Sequence, residues 1–338
     1  MRIVIAHSHL NTLGGGERCV LELARRLGTR HEVQVWAGAY RPASTYMGFR
    51  ELSLRHMNRR DWLTVIPDAD VAITHSLGAH LLALRFPRTI CYVHTMRSVY
   101  LRKPWRPDAI ARRALDRAAI RRAAAVVTNS AYTAERARDY YGRQPEAIPP
   151  GVDEDFFSMP LVAGTYGLYV GRLAPEKGLE RLLSWWSGVD ADLWIVGSGD
   201  TAYVAHLRRI AGPRVRWCGP LEGETLREAY HGSRFLAFLP MQEEFGLAAL
   251  EAQASGKPVL TTGDGGLSEL VEHDVTGYIV RSASEFADTC SRLVQDDAQC
   301  LRVGANAREH AQLYSWDRFT TAIEQVCERV VSHGPLSH

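Results

Sequence analysis

The stretch from Leu239 to Thr262, LPMQEEFGLAALEAQASGKPVLTT, limits what this chain can fold into more than any other. The apolar run Leu236 to Leu239 stops at Pro240, as a buried strand does where it meets a loop. The loop carries Gln242, Glu243 and Glu244. From Phe245 the spacing predicts a helix, with Leu247, Leu250 and Ala254 on one face, closed by Gly256 before a second strand over 258–261. The order is strand, acidic loop, helix, strand.

Glu243 falls before that helix and Glu251 in its second turn, which at a rise of ~1.5 Å per residue separates them by roughly 10–12 Å. An acid–nucleophile pair working on one glycosidic bond stands about 5–9.5 Å apart, so this spacing is long for a hydrolase. It suits a grip on two ends of one extended ligand. Carboxylates at a strand's carboxyl end and in the next helix accept hydrogen bonds from hydroxyls, which sugars and riboses supply. Taken alone, Glu243 and Glu244 read equally well as a solvated loop.

Other segments repeat the strand–loop–helix pattern. Arg2 to Ala6 reads as a buried first strand, and Leu13-Gly14-Gly15-Gly16-Glu17-Arg18 leads into a helix expected over about 19–27. A glycine-rich turn there lets backbone N–H groups of Gly15 and Gly16 approach a phosphate, yet it lacks the G-x-G-x-x-G spacing of a dinucleotide fingerprint. Residues 31–37 alternate as a second strand, and 38–60 read as a loop-rich excursion. Thr89 to His94 is a short apolar strand that puts His94 at its carboxyl end, with His75, His7 and His9 as less supported companions. In the second half, Gly171-Arg172-Leu173-Ala174-Pro175-Glu176-Lys177-Gly178 places an arginine fork and an ammonium in one loop, a pairing suited to a diphosphate. Only three lysines occur, at 103, 177 and 257. Asp68-x-Asp70 and Asp190-x-Asp192 look like metal-binding pairs, but both lie at strand entrances, away from the ligand-binding ends, and are assigned to turns.

Charge divides the chain. Residues 1–150 carry 24 Lys and Arg against 12 Asp and Glu, while 151–338 carry 16 against 26, so the halves differ as +12 and −10. Two domains with different partners are expected. The basic half suits an anionic acceptor or an anionic membrane surface, and the eight cationic residues in the span 102–122 fit a solvated helix nearly as well. No apolar run reaches the ~18 residues of a membrane span, and the opening MRIVIAHSHL lacks a signal peptide's apolar core, so a cytoplasmic protein is expected. Six cysteines without C-x-x-C or metal-site spacing fit reduced thiols.

Together these segments resemble glycosyltransferase family 4, the retaining group 1 enzymes of the GT-B fold. The match is carried by the acidic E-x7-E of Glu243 and Glu251, by G-R-x-x-x-x-K-G at 171–178, by the G-G-G-E loop, by His94 in YVHTM and by the T-N-S unit at 128–130. It is extended by Gly265-Gly266, by T-G-x-x-V at 276–280 and by the final helix. The resemblance implies an α/β chain of two doubly wound Rossmann-like domains facing each other across a cleft. Residues 1–150, completed by a helix at about 315–331, would form the acceptor side; 151–314 would bind the donor. Implied are transfer of a sugar from a nucleotide diphosphate sugar, UDP- or GDP-linked, to a hydroxyl on a glycan, lipid-linked or small-molecule acceptor, with retention and without a metal or cofactor. Implied catalytic residues are His94, Glu243, Arg172 and Lys177. The donor is gripped by Gly15, Gly16, Arg172, Lys177, Glu243, Phe245, Gly246, Leu247 and Glu251, with Glu251 on the ribose. No nucleic acid partner is implied, and peripheral contact with the inner membrane face is. The alternatives are a non-catalytic nucleotide-sugar-binding or regulatory protein on the same fold, an α-glucan phosphorylase with Lys257 as its cofactor lysine, and an NAD-dependent dehydrogenase.

Overall fold

The computed structural model describes residues 1–96 and 107–333. The chain divides into two compact units, residues 1–151 with 316–338 and residues 152–315. Each is built on its own parallel sheet, whose strands are too apolar on both faces to be left uncovered by helices.

The first unit has strands β1 (Arg2–Leu10), β2 (Glu32–Tyr40), β3 (Leu54–His56), β4 (Val71–Thr74), β5 (Thr89–Val93), β6 (Ala125–Thr128) and β7 (Glu146–Ala147). They lie in the order β3-β2-β1-β4-β5-β6-β7, all parallel. β3 corrects the loop-rich reading of 38–60. Its three residues are half-buried or exposed and carry no apolar pattern, so only pairing with β2 at Val35, Trp36 and Ala37 makes it a strand. The last helix, Trp316–His333, presents Trp316, Phe319, Ile323, Val326 and Val330 at helical spacing to a core shared with Ile3, Ile5, Ile90 and Val127. Burial of each such side chain contributes about 1.5–3 kcal/mol, enough to tie a segment distant in sequence to this sheet.

The second unit has β8 (Tyr166–Val170), β9 (Leu193–Val196), β10 (Val215–Gly219), β11 (Ser233–Ala237), β12 (Val259–Thr261) and β13 (Gly277–Ile279), in the order β10-β9-β8-β11-β12-β13. In both sheets the chain runs outward on one side and then restarts on the other. The reversal falls between β1 and β4 in the first unit and between β8 and β11 in the second. Open α/β sheets bind ligands in the crevice that such a reversal leaves beyond the strands' carboxyl ends. Two places in the molecule are thereby singled out before any side chain is considered.

Candidate functional site

At the second reversal, the loop after β8 meets the loop after β11. Gly178 stands at φ +72, and a Cβ there would come within 1.9 Å of the Leu239 carbonyl oxygen, so only glycine lets the two loops touch. Met241 N–H donates to the Glu176 carbonyl at 3.0 Å and closes the contact. Lys177 then lies against the acidic loop, its Nζ 2.7 Å from Glu243 Oε2 and 3.0 Å from Oε1. Both side chains are mostly buried, 18% and 12% exposed, so this is a charge pair largely out of water. Arg172, in the same loop, is 59% exposed, with Glu176 3.3 Å away. Arg181 donates to the carbonyls of Leu239 and Pro240, which pins the start of the acidic loop.

The acidic loop is braced from its other side by the glycine pair. Gly266 N–H donates to Glu243 O at 2.7 Å, and Gly265, at φ +80, would place a Cβ 2.1 Å from that oxygen. Gln242 takes a positive φ of 52, an uncommon conformation for a side-chain-bearing residue and a mark of a tightly determined loop. The helix begins at Leu247 and runs to Ala254, two residues later than the sequence pattern indicates, because Gly246 at φ 101 is its cap. Phe245 packs into the core, its ring centroid 6.0 Å from that of Tyr314, so only its backbone can face a ligand. Glu251 occupies the second helical turn and accepts from Tyr230 O–H at 2.8 Å. Tyr230 is fully buried, and burial with the nearby Glu251 charge pushes its phenol well above the usual range, which keeps it a donor.

The first unit's reversal has a different character. The helix expected from Cys19 starts at Gly15 and runs to Leu27, so Gly15 and Gly16 belong to its first turn, where N–H groups lack intrahelical partners. The reason is that Gly14 already supplies the cap, with Arg18 N–H donating to its carbonyl at 3.0 Å. Glu17 is buried, and it accepts from Thr12 O–H at 2.5 Å, folding the preceding loop back onto the helix start. Gly16 faces a histidine group: a Cβ there would lie 3.5 Å from His7 Nε2 and 3.9 Å from His94 Nε2. His9 N–H donates to His7 Nδ1 at 3.2 Å, which leaves the His7 ring proton on Nε2. His94 Nε2 is 2.8 Å from His75 Nδ1, and Asn129 donates to the His94 carbonyl at 3.0 Å. Burial pushes His7, His80 and His94 down to about 3 and His75 well below the ordinary value. All four rings are neutral at pH 7.

Of the residues singled out from sequence, Lys177 and Glu243 meet directly, Arg172 stands exposed in the Lys177 loop, Glu251 is anchored by Tyr230, and Gly16 lies against His94. His75, Tyr230, Arg181 and Asn129 were not singled out for these roles. His75 left a signal as a histidine at a strand's carboxyl end, and Asn129 as the centre of the T-N-S unit at 128–130; Tyr230 and Arg181 left none. The two D-x-D pairs are turn residues: Asp68 and Asp70 accept from Arg2, and Asp190 and Asp192 lie near Arg214. Among the described residues no group of three or more His, Cys, Asp or Glu side chains is arranged to hold a metal ion. Lys257 is fully buried, donates to the carbonyls of Val162 at 2.8 Å and His231 at 2.6 Å, and is pushed down to about 8 by burial. It is a structural tie between segments, with no opening for a phosphorylase cofactor. All six cysteines are free thiols. The basic span's residues 102–106 lie outside the described residues.

Two parallel Rossmann-like sheets, each with a reversal point, are the architecture of a GT-B protein. The whole-chain comparison agrees: HepE of Anabaena, in complex with UDP-glucose, superposes with a TM-score of 0.81 at 18% identity, over 97% of this chain and 100% of that one. Sucrose-phosphate synthase from Thermosynechococcus elongatus gives 0.79 at 21% identity, over 98% and 99%. Residues 13–156 match the family described as Glycosyltransferase Family 4, and residues 164–296 match Glycosyl transferases group 1. Both halves of the chain are thus related to the family 4, group 1 glycosyltransferases. A D-inositol 3-phosphate glycosyltransferase of Corynebacterium aurimucosum is 28% identical over 254 residues, 65% of this chain and 60% of the relative. The chain spans 58–60% of the length of the first curated relatives it matches.

Proposed function

We propose that this protein is a retaining glycosyltransferase that moves a sugar from a nucleotide diphosphate sugar to a hydroxyl acceptor without a metal ion. The observation that carries the reading is the Lys177–Glu243 contact at the β8–β11 reversal, 2.7 Å long, with the exposed Arg172 in the same loop. In a nucleotide sugar the anomeric carbon is one oxygen from the distal phosphate. A cation for the phosphate and a carboxylate for the sugar hydroxyls must therefore be neighbours, as these two are.

In this reading Arg172 and Lys177 hold the diphosphate, Glu243 the sugar and Glu251 the ribose, with backbone N–H groups of Gly246 and Leu247 completing the grip. The acceptor oxygen bonds to the anomeric carbon on the face from which the phosphate oxygen leaves. The hydroxyl proton passes to an oxygen of the departing nucleoside diphosphate. Negative charge grows on that phosphate, and fixed cations stabilise it without reorganising, the largest single contribution of most active sites. Residues 1–150 then serve the acceptor. Their excess of basic residues favours an anionic or lipid-linked acceptor at the cytoplasmic membrane face, and Ile110 and Leu115 are exposed on the helix Pro107–Arg122. No helix among the described residues is long and apolar enough to cross a membrane.

The test is incubation with UDP- and GDP-sugars and candidate acceptors in the presence of a chelator, with release of the nucleoside diphosphate and the product's anomeric configuration read by NMR. Turnover with retention is expected. Tight nucleotide-sugar binding with no turnover for any acceptor class would favour the regulatory alternative, and turnover that collapses on chelation would overturn metal independence.

A further inference from the structure

The His75–His94 pair contains more than proximity. The His75 ring is only 2% exposed and lies on the Tyr92 ring, 5.1 Å between centroids and nearly parallel. Tyr92 is itself fixed, because its O–H donates to the Ile148 carbonyl at 2.7 Å. The stack holds the plane of the His75 ring, and the contact with His94 sets its orientation within that plane. Its Nδ1 lies 2.8 Å from His94 Nε2, while its own Nε2 is buried with no hydrogen-bond partner.

A neutral imidazole carries one N–H, so the bond allows two arrangements. If His94 donated, the His75 proton would sit on Nε2, a buried N–H with nothing to receive it. If His75 donates through Nδ1, its Nε2 becomes an unfilled acceptor. Orphaned buried N–H donors are rarer in folded proteins than under-used acceptors, so the second arrangement prevails. With Nε2 of His94 occupied as an acceptor, the His94 proton must be on Nδ1. Among the described residues Nδ1 of His94 has no partner, and the residue itself is only partly buried.

We propose that His75 is a positioning residue that fixes His94 as the Nδ1–H tautomer, so that His94 serves the reaction as a hydrogen-bond donor to an oxygen of the bound sugar or acceptor and not as its proton acceptor. This role rests on the glycosyl-transfer reading above; the tautomer itself does not. The low proton affinity that burial gives His94 agrees with it, because an imidazole pushed down to about 3 is a poor base at neutral pH. The proton released by the acceptor then goes to the donor phosphate.

The experiment uses the full chain labelled with 15N at histidine and long-range 1H–15N correlation, with His94→Gln to assign the His94 signals. His94 in the unsubstituted protein is expected to be protonated at Nδ1 with an unprotonated Nε2; the reverse pattern overturns the proposal. His75→Phe keeps an aromatic ring on Tyr92 but has no N–H to give. It should turn His94 into a mixture of tautomers and lower kcat about tenfold, with KM for the nucleotide sugar changed less than about twofold. His75→Asn puts an amide N–H where Nδ1 stood and should restore most of kcat. If His75→Phe leaves the His94 tautomer unchanged, or His75→Asn is as slow as His75→Phe, the positioning role is wrong. If no sugar nucleotide is turned over, the functional reading fails while the tautomer result still stands.

Discussion

The two reversal points share one architecture and hold opposite chemistry. At β8–β11 the side chains are of opposite charge, Lys177 and Glu243 paired largely out of water with Arg172 exposed in the same loop. At β1–β4 and the adjoining end of β5 they are four histidines, His7, His75 and His80 buried and His94 partly so, whose proton affinity falls with the loss of water. A sheet reversal supplies a crevice and backbone ends; whether it becomes an ionic clamp or a set of neutral donors depends on whether the enclosed groups meet an opposite charge, as Lys177 meets Glu243, or only one another, as His75 meets His94. Charge at the first suits a diphosphate, and neutrality at the second suits hydroxyls that must be oriented without being ionised.

The contrast should break first under acid. His7, His80 and His94 are depressed in the folded chain to about 3, and His75 well below its ordinary value, against about 6.5 unfolded. The unfolded chain binds more protons below pH 6.5, so the stability these rings contribute is present above that value and is lost as pH falls toward 3. Asp116, pushed up to about 6 by burial, takes a proton first in the folded state and opposes one of the four. The remaining three correspond to a slope on the order of 4 kcal/mol per pH unit across the upper part of that window. His231 and His310 of the second unit are lowered too, but by less complete burial. Hydrogen exchange followed by peptide mass between pH 7 and 4 should show residues 1–151 losing protection before 152–315.

The ionic clamp should break under charge removal. Arg172→Ala with Lys177→Ala should lower kcat/KM about a thousandfold and abolish the thermal shift that a nucleoside diphosphate produces. The same pair of substitutions should leave the acid response of the first unit where it was. If the double variant binds nucleotide normally, the clamp is misplaced.

Glycines give a finer comparison. Gly265→Ala forces a side chain into a left-handed backbone and against Glu243 O, and should destabilise the second unit by about 2–3 kcal/mol in denaturant titration. Gly16→Ala meets only ordinary contacts at 3.5–3.9 Å, so stability should hold while the new methyl fills the space beside His7 and His94. Its effect should appear as a kcat/KM loss of about tenfold. Equal stability losses for the two would show that the first reversal is as tightly filled as the second. The smallest effect is expected from Asp68→Asn and Asp190→Asn, where kcat/KM should stay within about twofold, since both residues only pair with surface arginines.

Much of the second unit's site was legible because its residues sit in short, locally ordered segments. Lys177 precedes a glycine turn, Glu243 follows a buried strand, and Glu251 falls one turn into a helix whose apolar face is plain in LAALEAQA. The first unit was less legible. β3 has no pattern apart from its partner, the helix start moved back to Gly15, and His75 looked like one histidine among 13.

By itself, then, the sequence determined the alternation of strands and helices, the break at Pro149-Pro150-Gly151 and the chemical type of each loop, because these depend on residues a few positions apart. Only the tertiary structure decided which loops meet. Lys177 reaches Glu243 across 66 residues because β8 pairs with β11, and His75 bonds His94 because β4 pairs with β5. Parallel neighbours in a sheet are chosen by the packing of the whole unit, and so are the partners each loop meets, which leave one reversal charged and the other neutral.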